Sequence, residues 1–383
     1  MLRYMTAGES HGKSLIALID GVPAGLVVDK KAVKFIWDEL YKRMCGYGRG
    51  ARMAIETDCG KNVEILSGIR KGITIGSPMA IQIINNDFKI DDLPDVKCPR
   101  PGHADLAGMQ KYHLKDARDV LERASARETA ARVAAGAVIK LFLREFGIKI
   151  LSHVTMIGKV KASTEHLSFD EIAGLTDAAE SPLRCADKNA EKKMCKEIDA
   201  AKKQGDTLGG SFDVIAVGVP PGLGSYTQWD KRLDAELARL IVSIPAVKAV
   251  SIGEGIECAA KSGSKTHDAI GYDRNGKMFN RVTNNAGGIE GGMTNGMPVR
   301  ITGFMKPIAT LKNSLKSVNI DTKKESRAAT ERSDVTAVAA CGVVAESMTA
   351  FGIGAAFLDK FGGDSMTEIC RNYNAYIKQL KEM

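Results

Sequence analysis

Hydrophobic positions follow two periods along the chain, one typical of strands and one typical of helices. Short apolar runs predict strands at Leu15–Ile19, Val63–Leu66, Met79–Ile84, Lys149–Thr155, Phe212–Val219 and Val299–Thr302. Between them, Asp230–Val242 repeats apolar residues at helical spacing and stops before Pro245. Neither an internal repeat nor a Pro/Ser-rich linker interrupts this alternation. The pattern predicts an α+β protein in which residues 1–383 form a single domain.

Two further helices are predicted from their charges and end signals. Lys188–Lys203 is charged nearly all round, which is typical of a helix in solvent, and Gly205 ends it. Near the C-terminus, Ser365 precedes Glu368 at the spacing of a capping box. This spacing predicts that the last helix begins at Ser365.

One apolar stretch, Val335–Leu358, is long enough to cross a bilayer, and its only charged residue is Glu346. It is nevertheless rich in Ala, Gly, Ser and Thr, and Gly352 and Gly354 interrupt its end. Such small residues are typical of a helix that packs closely inside a protein. We therefore predict a buried helix here and no membrane span.

The charge balance narrows the choice of partners. The net charge is +8, while 44% of residues are hydrophobic and 26% are charged, as in a globular protein. The positive excess indicates either a solvated surface or an anionic partner, such as nucleic acid, a membrane or a phosphorylated small molecule. The eight cysteines form no CxxC pair, which disfavours a zinc ribbon or a thioredoxin-type site and indicates a reducing, cytoplasmic location.

Two of the six histidines stand in glycine turns. His11 lies in Gly8–Gly12, where small neighbours let a ligand approach closely. His103 lies in the Pro-Gly turn of Arg100–Asp105, where Asp105 is placed to orient its ring. An ordinary surface turn would also explain either motif. A metal site built on both histidines is a further alternative, although HExxH and paired-cysteine spacings are absent.

Arginines cluster in a glycine-rich segment that contains Arg43, Arg49 and Arg52. Guanidinium groups bind carboxylates and phosphates with two parallel hydrogen bonds, and glycines let the backbone close around an anion. A solvated basic loop is the alternative, but such a loop does not need the glycines. The segment therefore predicts an anion-binding loop.

A second anion site is indicated at the start of an Ala-rich helix. Ser125 and Glu128 have capping-box spacing, which predicts that the helix begins there. The amides and dipole of a helix N-terminus favour a phosphate. Arg127 has no acidic residue three or four positions away, which indicates a bound anion. Simple capping is the alternative.

Three more segments carry candidate chemistry. Asn284–Gly296 is the longest glycine-rich loop, but it matches neither GxGxxG nor the P-loop pattern and by itself predicts a hairpin. Lys306–Thr310 forms a rigid turn with a lysine. Asp334 lies near the start of the apolar helix, where it should stay ionised and could accept a proton from a ligand.

Taken together and in order, these segments resemble the chorismate synthase family. The resemblance rests on Gly8–Gly12, Gly46–Gly50, Arg100–Asp105, Ser125–Gly136, Gly287–Gly296, Lys306–Leu311 and Arg332–Val338. It runs from the first residues to Val338 and continues as a compatible helical C-terminal region.

The resemblance implies a cytoplasmic enzyme of the shikimate pathway. Members of the family convert 5-enolpyruvylshikimate 3-phosphate into chorismate and phosphate by an anti 1,4-elimination. They need reduced FMN although the reaction has no net redox change. NADPH can serve as the reductant, and FMN is reduced either by the chain itself or by a separate flavin reductase. The family fold is a β-α-β sandwich with a helical layer between antiparallel sheets, and its members assemble as homotetramers.

The resemblance also implies roles for individual residues. His11 corresponds to the histidine that protonates the leaving phosphate, His103 to the histidine beside flavin N1, and Asp334 to the acid in a proton relay with flavin N5. The implied FMN contacts are Arg123, Ala124, Ser125, Pro245, Ala246, Gly291, Lys306, Pro307, Ile308, Ala309, Thr310 and Arg332. The implied contacts to NADP or to substrate anions are Arg43, Arg49, Arg52 and Arg127.

Two other functions remain open. A flavin-dependent reductase acting on an anionic substrate would share the phosphate-binding segments. A nucleic-acid-binding protein would explain the charge of +8, but the arginine segments are poor in the aromatic residues on which bases stack. We therefore predict neither a nucleic-acid partner nor a membrane partner.

Overall fold

The computed structural model describes residues 1–49, 62–176, 181–331 and 334–383, so Arg52 and Arg332 of the predicted site lie outside the described residues. Within these ranges the helices are α1 (Lys30–Met44), α2 (Asp105–Tyr112), α3 (Ala117–Ala124), α4 (Thr129–Arg144), α5 (Phe169–Leu175), α6 (Lys188–Gln204), α7 (Leu233–Val242), α8 (Gly263–Thr266), α9 (Val338–Phe361) and α10 (Met366–Glu382). The strands are β1 (Arg3–Ala7), β2 (Ser14–Asp20), β3 (Val63–Ile65), β4 (Ile69–Arg70), β5 (Ile73–Thr74), β6 (Met79–Ile84), β7 (Lys149–Ile157), β8 (Val160–Lys161), β9 (Gly210–Val217), β10 (Val247–Ile252), β11 (Ile270–Asp273), β12 (Met278–Arg281), β13 (Ile289–Glu290), β14 (Met293–Thr294), β15 (Val299–Met305), β16 (Lys316–Val318) and β17 (Glu325–Arg327).

The first large sheet has the strand order β1-β2-β6-β3, and all neighbours are antiparallel. Successive side chains of β2 point to opposite faces of the sheet. Leu15, Ala17 and Ile19 are buried in the core, whereas Leu18 is exposed on the other face. Met5 of β1 lies opposite Leu18 in the register and is exposed as well. The outer face of this sheet therefore presents apolar side chains to solvent.

The second large sheet has the order β10-β15-β9-β7-β8 and is also antiparallel. Phe212 of β9 is buried and packs over Gly303 of the neighbouring strand. A Cβ atom on Gly303 would lie 2.3 Å from Cζ of that ring. Glycine at this position therefore makes room for the aromatic side chain.

Two long helices lie between the sheets. Helix α4 contacts β1, β2 and β6 of the first sheet, and α9 contacts β7, β9 and β15 of the second. The helices approach closely, since a Cβ atom on Gly136 of α4 would lie 2.3 Å from Cβ of Ser347 of α9. This arrangement confirms the predicted α+β fold with a helical layer between antiparallel sheets. Helix α9 has the length and hydropathy of a membrane span, but its most apolar part is 83% buried inside the protein.

A cluster of buried charges joins α1, α4 and α9. Lys140 Nζ donates hydrogen bonds to Glu39 and Glu346, and Arg184 donates to Glu346 at 2.9 Å. Burial alone would raise the pKa of both glutamates. The charges of Lys140 and Lys42 and their hydrogen bonds together outweigh burial and lower the pKa of Glu39 to about 2. The charge of Lys140, joined by that of Arg184, likewise lowers the pKa of Glu346 below its ordinary value. The carboxylates are therefore stable in the core because cations accompany them.

Two helix starts differ from the predictions. Ser125 forms no capping box, since its hydroxyl accepts a hydrogen bond from the Arg127 amide, a 3-10 turn follows, and α4 begins at Thr129. A 3-10 turn also precedes α7, which begins at Leu233. In both places the chain tightens into a turn before the regular helix begins. The capping box at Ser365 is confirmed, with both of its hydrogen bonds present.

Helix α6 is not solvated all round as predicted, although Gly205 ends it as expected. Ala190, Met194, Ile198 and Ala201 are buried. They recur every three or four residues and therefore form one narrow stripe on the helix. This stripe packs towards β7 and β8. The stripe is difficult to identify in the sequence, because many lysines surround it.

Candidate active site

A cavity of about 710 Å³ lies between the loop after α1, the C-terminal end of α6 and the segment before α9. Three residues of the predicted site line it, namely Arg49, Thr310 and Asp334. The other charged residues in the wall are Asp199, Lys202, Asp206, Lys312 and Glu331. A wall with charges of both signs suits a polar ligand.

Arg49 and Asp334 form an ion pair in this wall. The distance between Arg49 Nε and Asp334 Oδ2 is 3.3 Å, and the two side chains are 6% and 7% exposed. Asp334 does not cap the apolar helix, because α9 begins only at Val338. The guanidinium of Arg49, rather than a helix dipole, is therefore a positive group beside this carboxylate.

Glycines shape the loop that carries Arg49. Gly46 and Gly48 both have positive φ, and a Cβ atom on Gly48 would come within 2.7 Å of Ile198 Cγ2 on α6. Glycine therefore lets the loop turn sharply while it lies against the helix. Arg49 Nη1 also donates to the carbonyl of Arg43 at 2.7 Å, which holds the guanidinium close to its own loop.

His11 lies in the loop between β1 and β2, against the end of α3. Its Nδ1 is 2.9 Å from Glu122 Oε1, and its backbone amide donates to Glu122 Oε2 at 2.8 Å. The Ser10 amide donates to the Glu122 carbonyl at 2.9 Å. Glu122 is buried, so a carboxylate 111 positions along the chain orients the His11 ring.

The other ring nitrogen of His11 faces Asp87, with 3.6 Å between Nε2 and Oδ2. Asp87 also pairs with Lys89 at 2.8 Å and with Arg127 at 3.3 Å. The hydrogen bond from Lys89, and then that from Arg127, lowers the pKa of Asp87. The expectation that Arg127 has no acidic partner is therefore wrong, because its partner comes from the segment after β6.

His103 is held in a similar way. Its Nδ1 contacts Asp105, which also accepts hydrogen bonds from Arg100 at 2.8 and 3.0 Å. Burial alone would raise the pKa of Asp105, but the hydrogen bonds from His103 and Arg100 outweigh it and lower the pKa well below the ordinary value. Arg100 Nη1 donates to Thr310 Oγ1 at 2.7 Å, which links this group to the cavity wall.

Lys306 connects the His103 turn to the predicted flavin loop. Its Nζ donates to the Gly102 carbonyl at 2.9 Å, and its amide donates to the Ala246 carbonyl at 2.9 Å. Ala246 has a φ of 71°, which is strained for a residue with a Cβ atom. Burial, and then the charge of Lys248, lowers the pKa of Lys306. Two neighbouring lysines at a strained turn are a favourable environment for an anion.

The rest of the Lys306–Thr310 turn packs against two other segments. The Ile308 carbonyl accepts a hydrogen bond from Thr207 at 2.8 Å. A Cβ atom added to Gly102 would lie 3.8 Å from Cβ of Ala309. A Cβ atom added to Gly209 would lie 2.9 Å from the backbone nitrogen of Pro307. Glycines on both neighbouring segments thus leave space for the turn.

The segment after α3 lies beside the first glycine turn. Arg123 donates to the carbonyls of Gly8 and Thr6 at 3.0 and 2.9 Å. Ala124 ends α3, and Ser125 caps the 3-10 turn that follows. These three predicted flavin contacts are therefore neighbours of the loop that carries His11.

Comparison with known proteins agrees with this geometry. The family model described as chorismate synthase matches residues 2–358. The chain belongs to the chorismate synthase family. The chorismate synthase of Koribacter versatilis is 48% identical over 100% of both chains, and that of Thermoanaerobacter pseudethanolicus is 51% identical over 99% of both. A crystal structure of a chorismate synthase is 40% identical, with a TM-score of 0.80 over 100% of this chain and 99% of that chain.

Membership of the chorismate synthase family makes the chain a lyase. The family match covers most of the chain, so the alternative of a flavin-dependent reductase is not favoured. Among the residues described by the structure, no group of three or more His, Cys, Asp or Glu side chains is arranged to hold a metal ion.

Two predicted flavin contacts of the chorismate synthase site, Gly291 and Ala246, lie at opposite ends of α7. Gly291 is in the turn of the β13–β14 hairpin, which packs at the start of α7 through a 2.9 Å hydrogen bond from the Leu233 amide to the Gly292 carbonyl. Pro245 and Ala246 follow the other end of α7. A helix of this length spans about 15 Å, so Gly291 does not reach the Ala246 turn within one chain.

Arg43 has a different environment from Arg49. Its Nε donates to Thr129 Oγ1 at 2.9 Å, and its Nη2 donates to the Ala126 carbonyl at 2.6 Å. Arg43 is buried, and these contacts join the end of α1 to the start of α4. The described contacts of Arg43 therefore stabilise the chorismate synthase fold behind the loop that carries Arg49. Arg52 lies outside the described residues, as does Arg332.

Three charged residues that connect His11 to the cavity wall belong to none of the sequence motifs, namely Glu122, Arg118 and Glu331. Arg118 donates to Glu331 at 2.7 Å, and its Nη1 lies 3.7 Å from Glu122 Oε1. Arg118 and Glu122 are four residues apart on α3, which is a detectable helical ion-pair spacing. The contact between Glu122 and His11 has no comparable local signal, because it depends on how α3 packs against the β1–β2 loop.

Proposed function

We propose that the chain catalyses the anti 1,4-elimination of phosphate from 5-enolpyruvylshikimate 3-phosphate to give chorismate, with reduced FMN bound. One observation carries this proposal: two histidine–carboxylate–arginine groups each end in the wall of the same cavity. The first consists of His11, Glu122, Arg118 and Glu331, and the second of His103, Asp105, Arg100 and Thr310. Neither histidine lines the cavity itself, but both rings are oriented by buried carboxylates that connect to its wall, which suits a reaction that moves protons at two positions.

The surroundings of Lys306 fit the phosphate of FMN. Burial and the charge of Lys248 both disfavour the charged form of Lys306, and its Nζ donates to the carbonyl of Gly102. A bound anion would relieve the repulsion between the two lysines. Ser125 and Arg123 would add hydrogen-bond donors. When bound, reduced FMN supplies an electron-rich ring that shares charge with the substrate while phosphate leaves.

The chain itself would provide proton donors and anion contacts. His11 would protonate the departing phosphate through Nε2, since Glu122 binds Nδ1. Asp334 would accept a proton, and Arg49 would bind an anionic group of the substrate. Arg127, which lies near His11, would add a further anion contact. We propose the same role for Arg52.

An anaerobic assay with photoreduced FMN and 5-enolpyruvylshikimate 3-phosphate tests this function. We expect equal amounts of chorismate and phosphate, with no net consumption of reduced flavin. Oxidation of flavin in proportion to product would contradict the proposal and indicate a reductase. Absence of any product from the folded protein would contradict it as well.

We propose that a separate flavin reductase supplies the reduced FMN. The support is the lack of a GxGxxG motif for a dinucleotide in the sequence. Pure protein with NADPH and oxidised FMN should show little anaerobic turnover, and photoreduced FMN should restore it. Full activity with NADPH would instead show that the chain reduces its own flavin.

We propose that residues 1–383 fold as one domain and assemble as a homotetramer in the cytoplasm. A main hydrophobic core that runs from Leu2 to Ile369 supports the single domain. The outer face of the first sheet supports assembly, because Met5, Leu18 and Ile84 are 70%, 41% and 42% exposed. Sedimentation equilibrium should show a tetramer that Leu18→Glu weakens. A monomeric wild-type chain would contradict the assembly.

A further inference from the structure

Glu122 makes more contacts with the His11 loop than a surface carboxylate would. Its two carboxylate oxygens accept hydrogen bonds from different groups of the same residue, the His11 amide at 2.8 Å and the His11 ring at 2.9 Å. Its carbonyl accepts a third hydrogen bond, from the Ser10 amide at 2.9 Å. One residue at the end of α3 thus holds both the backbone and the side chain of His11.

Buried neighbours keep the Glu122 carboxylate in place. The Glu122 side chain is 3% exposed and that of Arg118 is 8% exposed, with 3.7 Å between Arg118 Nη1 and Glu122 Oε1. Arg118 is itself held by the Pro94 carbonyl at 3.1 Å and by Glu331 at 2.7 Å. The position of Glu122 is therefore determined by packing and charge on several sides.

The geometry specifies the tautomer of His11. A carboxylate accepts hydrogen bonds, so the hydrogen between Glu122 and Nδ1 belongs to the histidine. In the neutral ring this leaves Nε2 without a hydrogen, and in the protonated ring it makes the Nε2 hydrogen the one available to a ligand. Nε2 points to the other side, where Asp87 lies 3.6 Å away.

We propose that Glu122 is a positioning residue for His11: it holds the ring in the Nδ1–H tautomer and directs Nε2 towards the phosphate that leaves. This inference rests on the proposed function of His11 as the proton donor. Arg118 supports it, because its Nη1 lies 3.7 Å from Oε1 of Glu122, the oxygen that the His11 ring contacts.

The Glu122→Gln variant tests the proposal, with Asp119→Asn as the matched control. Asp119 is an exposed carboxylate on the same helix. Glutamine replaces one carboxylate oxygen with an NH2 group, which donates, so the amide and ring of His11 lose one of their two acceptor atoms. We expect kcat to fall about 10–100-fold in Glu122→Gln, with a much smaller change in KM for the phosphate ester. Asp119→Asn should retain wild-type values.

The ring itself provides a readout that does not need activity. In protein labelled with ¹⁵N-histidine, the His11 signals can be assigned by their loss in His11→Gln. In alkaline solution, where the ring is neutral, wild-type His11 should show a protonated Nδ1 and an unprotonated Nε2. Glu122→Gln should shift these signals towards the Nε2–H tautomer, and Glu122→Asp, which keeps the carboxylate, should shift them less.

Each outcome decides the question. An Nε2–H tautomer in the wild-type protein would overturn the proposal, whether or not any variant folds. Wild-type kcat and unchanged ring signals in folded Glu122→Gln would overturn it too. A third outcome separates the two proposals: the wild-type protein is inactive, but His11 shows the expected tautomer and the expected shift in Glu122→Gln. This outcome would refute the proposed function and leave the role of Glu122 standing.

Discussion

Arg49 Nε lies 3.3 Å from Asp334 Oδ2, although the two residues come from opposite ends of the chain. Both side chains are nearly buried in the wall of one cavity. A substrate anion that binds Arg49 would therefore share the guanidinium with a carboxylate. The pair places the proposed anion-binding group and the proposed proton acceptor side by side.

Removal of the Arg49 guanidinium should weaken binding of the anionic substrate. We expect Arg49→Ala to lose about 1.5–3 kcal/mol of binding free energy, the usual scale of a charge-assisted hydrogen bond. Arg70→Ala is the control, because Arg70 is exposed on β4. Substrate titration of the two variants provides the comparison. Equal affinity in both would show that Arg49 belongs to a solvated basic loop.

The two histidines should respond differently to substitution. His11→Ala and His103→Ala should each lower turnover about 10²–10⁴-fold, the range of a general acid or base. Only His103→Ala should also change the absorbance of bound reduced FMN, because His103 is proposed to lie beside the flavin. Asp105→Asn should cause a milder form of the same spectral change, since Asp105 contacts the His103 ring. Near-normal turnover in either alanine variant would make that histidine structural.

Lys140→Met should destabilise the fold strongly. The variant would leave Glu39 and Glu346 buried together without the lysine that bonds to both. Breaking a buried ion pair in this way typically costs about 3–5 kcal/mol. Lys34→Met is the control, because Lys34 pairs with Asp38 at the surface, where such a pair contributes about 0.3–0.5 kcal/mol. Urea unfolding should separate the two variants, and similar losses would contradict the importance of the buried cluster.

Acid should destabilise the protein through its buried carboxylates. The pKa of Glu39 is about 2 in the folded protein, below its ordinary value of 4.5, and the pKa of Asp105 is lowered as well. A carboxyl group whose pKa is lowered by folding makes its full contribution to stability at pH values above its ordinary pKa. This contribution is lost as the pH falls through the pKa of the folded protein. The free energy of unfolding should therefore decrease between about pH 4.5 and about pH 2. A flat urea-unfolding profile across this window would contradict the expectation.

Features that depend on neighbouring residues could be predicted from the sequence. Strand β6 has the predicted bounds, Met79–Ile84, because its apolar residues and flanking turns identify it locally. The capping box at Ser365 and the helix end at Gly205 are also as predicted. Cap signals act within one helical turn and therefore depend mainly on neighbouring residues, although the same spacing at Ser125 forms no capping box.

The candidate site was predictable as a set of loops and much less as a set of contacts. The predicted contact between Asp105 and the His103 ring is confirmed, because both residues come from the same turn. Helical spacing did not reveal the acidic partner of Arg127, because Asp87 lies 40 positions away. Helical spacing reports only on residues of one helix.

Local propensity and apolar periodicity are sufficient to identify the α+β class and the buried nature of α9, because they reflect burial of one face or of a whole segment. The partner of a charged side chain is a different kind of property. Glu122 reaches His11 only because α3 packs against the β1–β2 loop, and Asp334 reaches Arg49 only because the loop after α1 lies against the segment before α9. Buried charges must find partners wherever the packed chain provides them, and that choice is made by the tertiary structure.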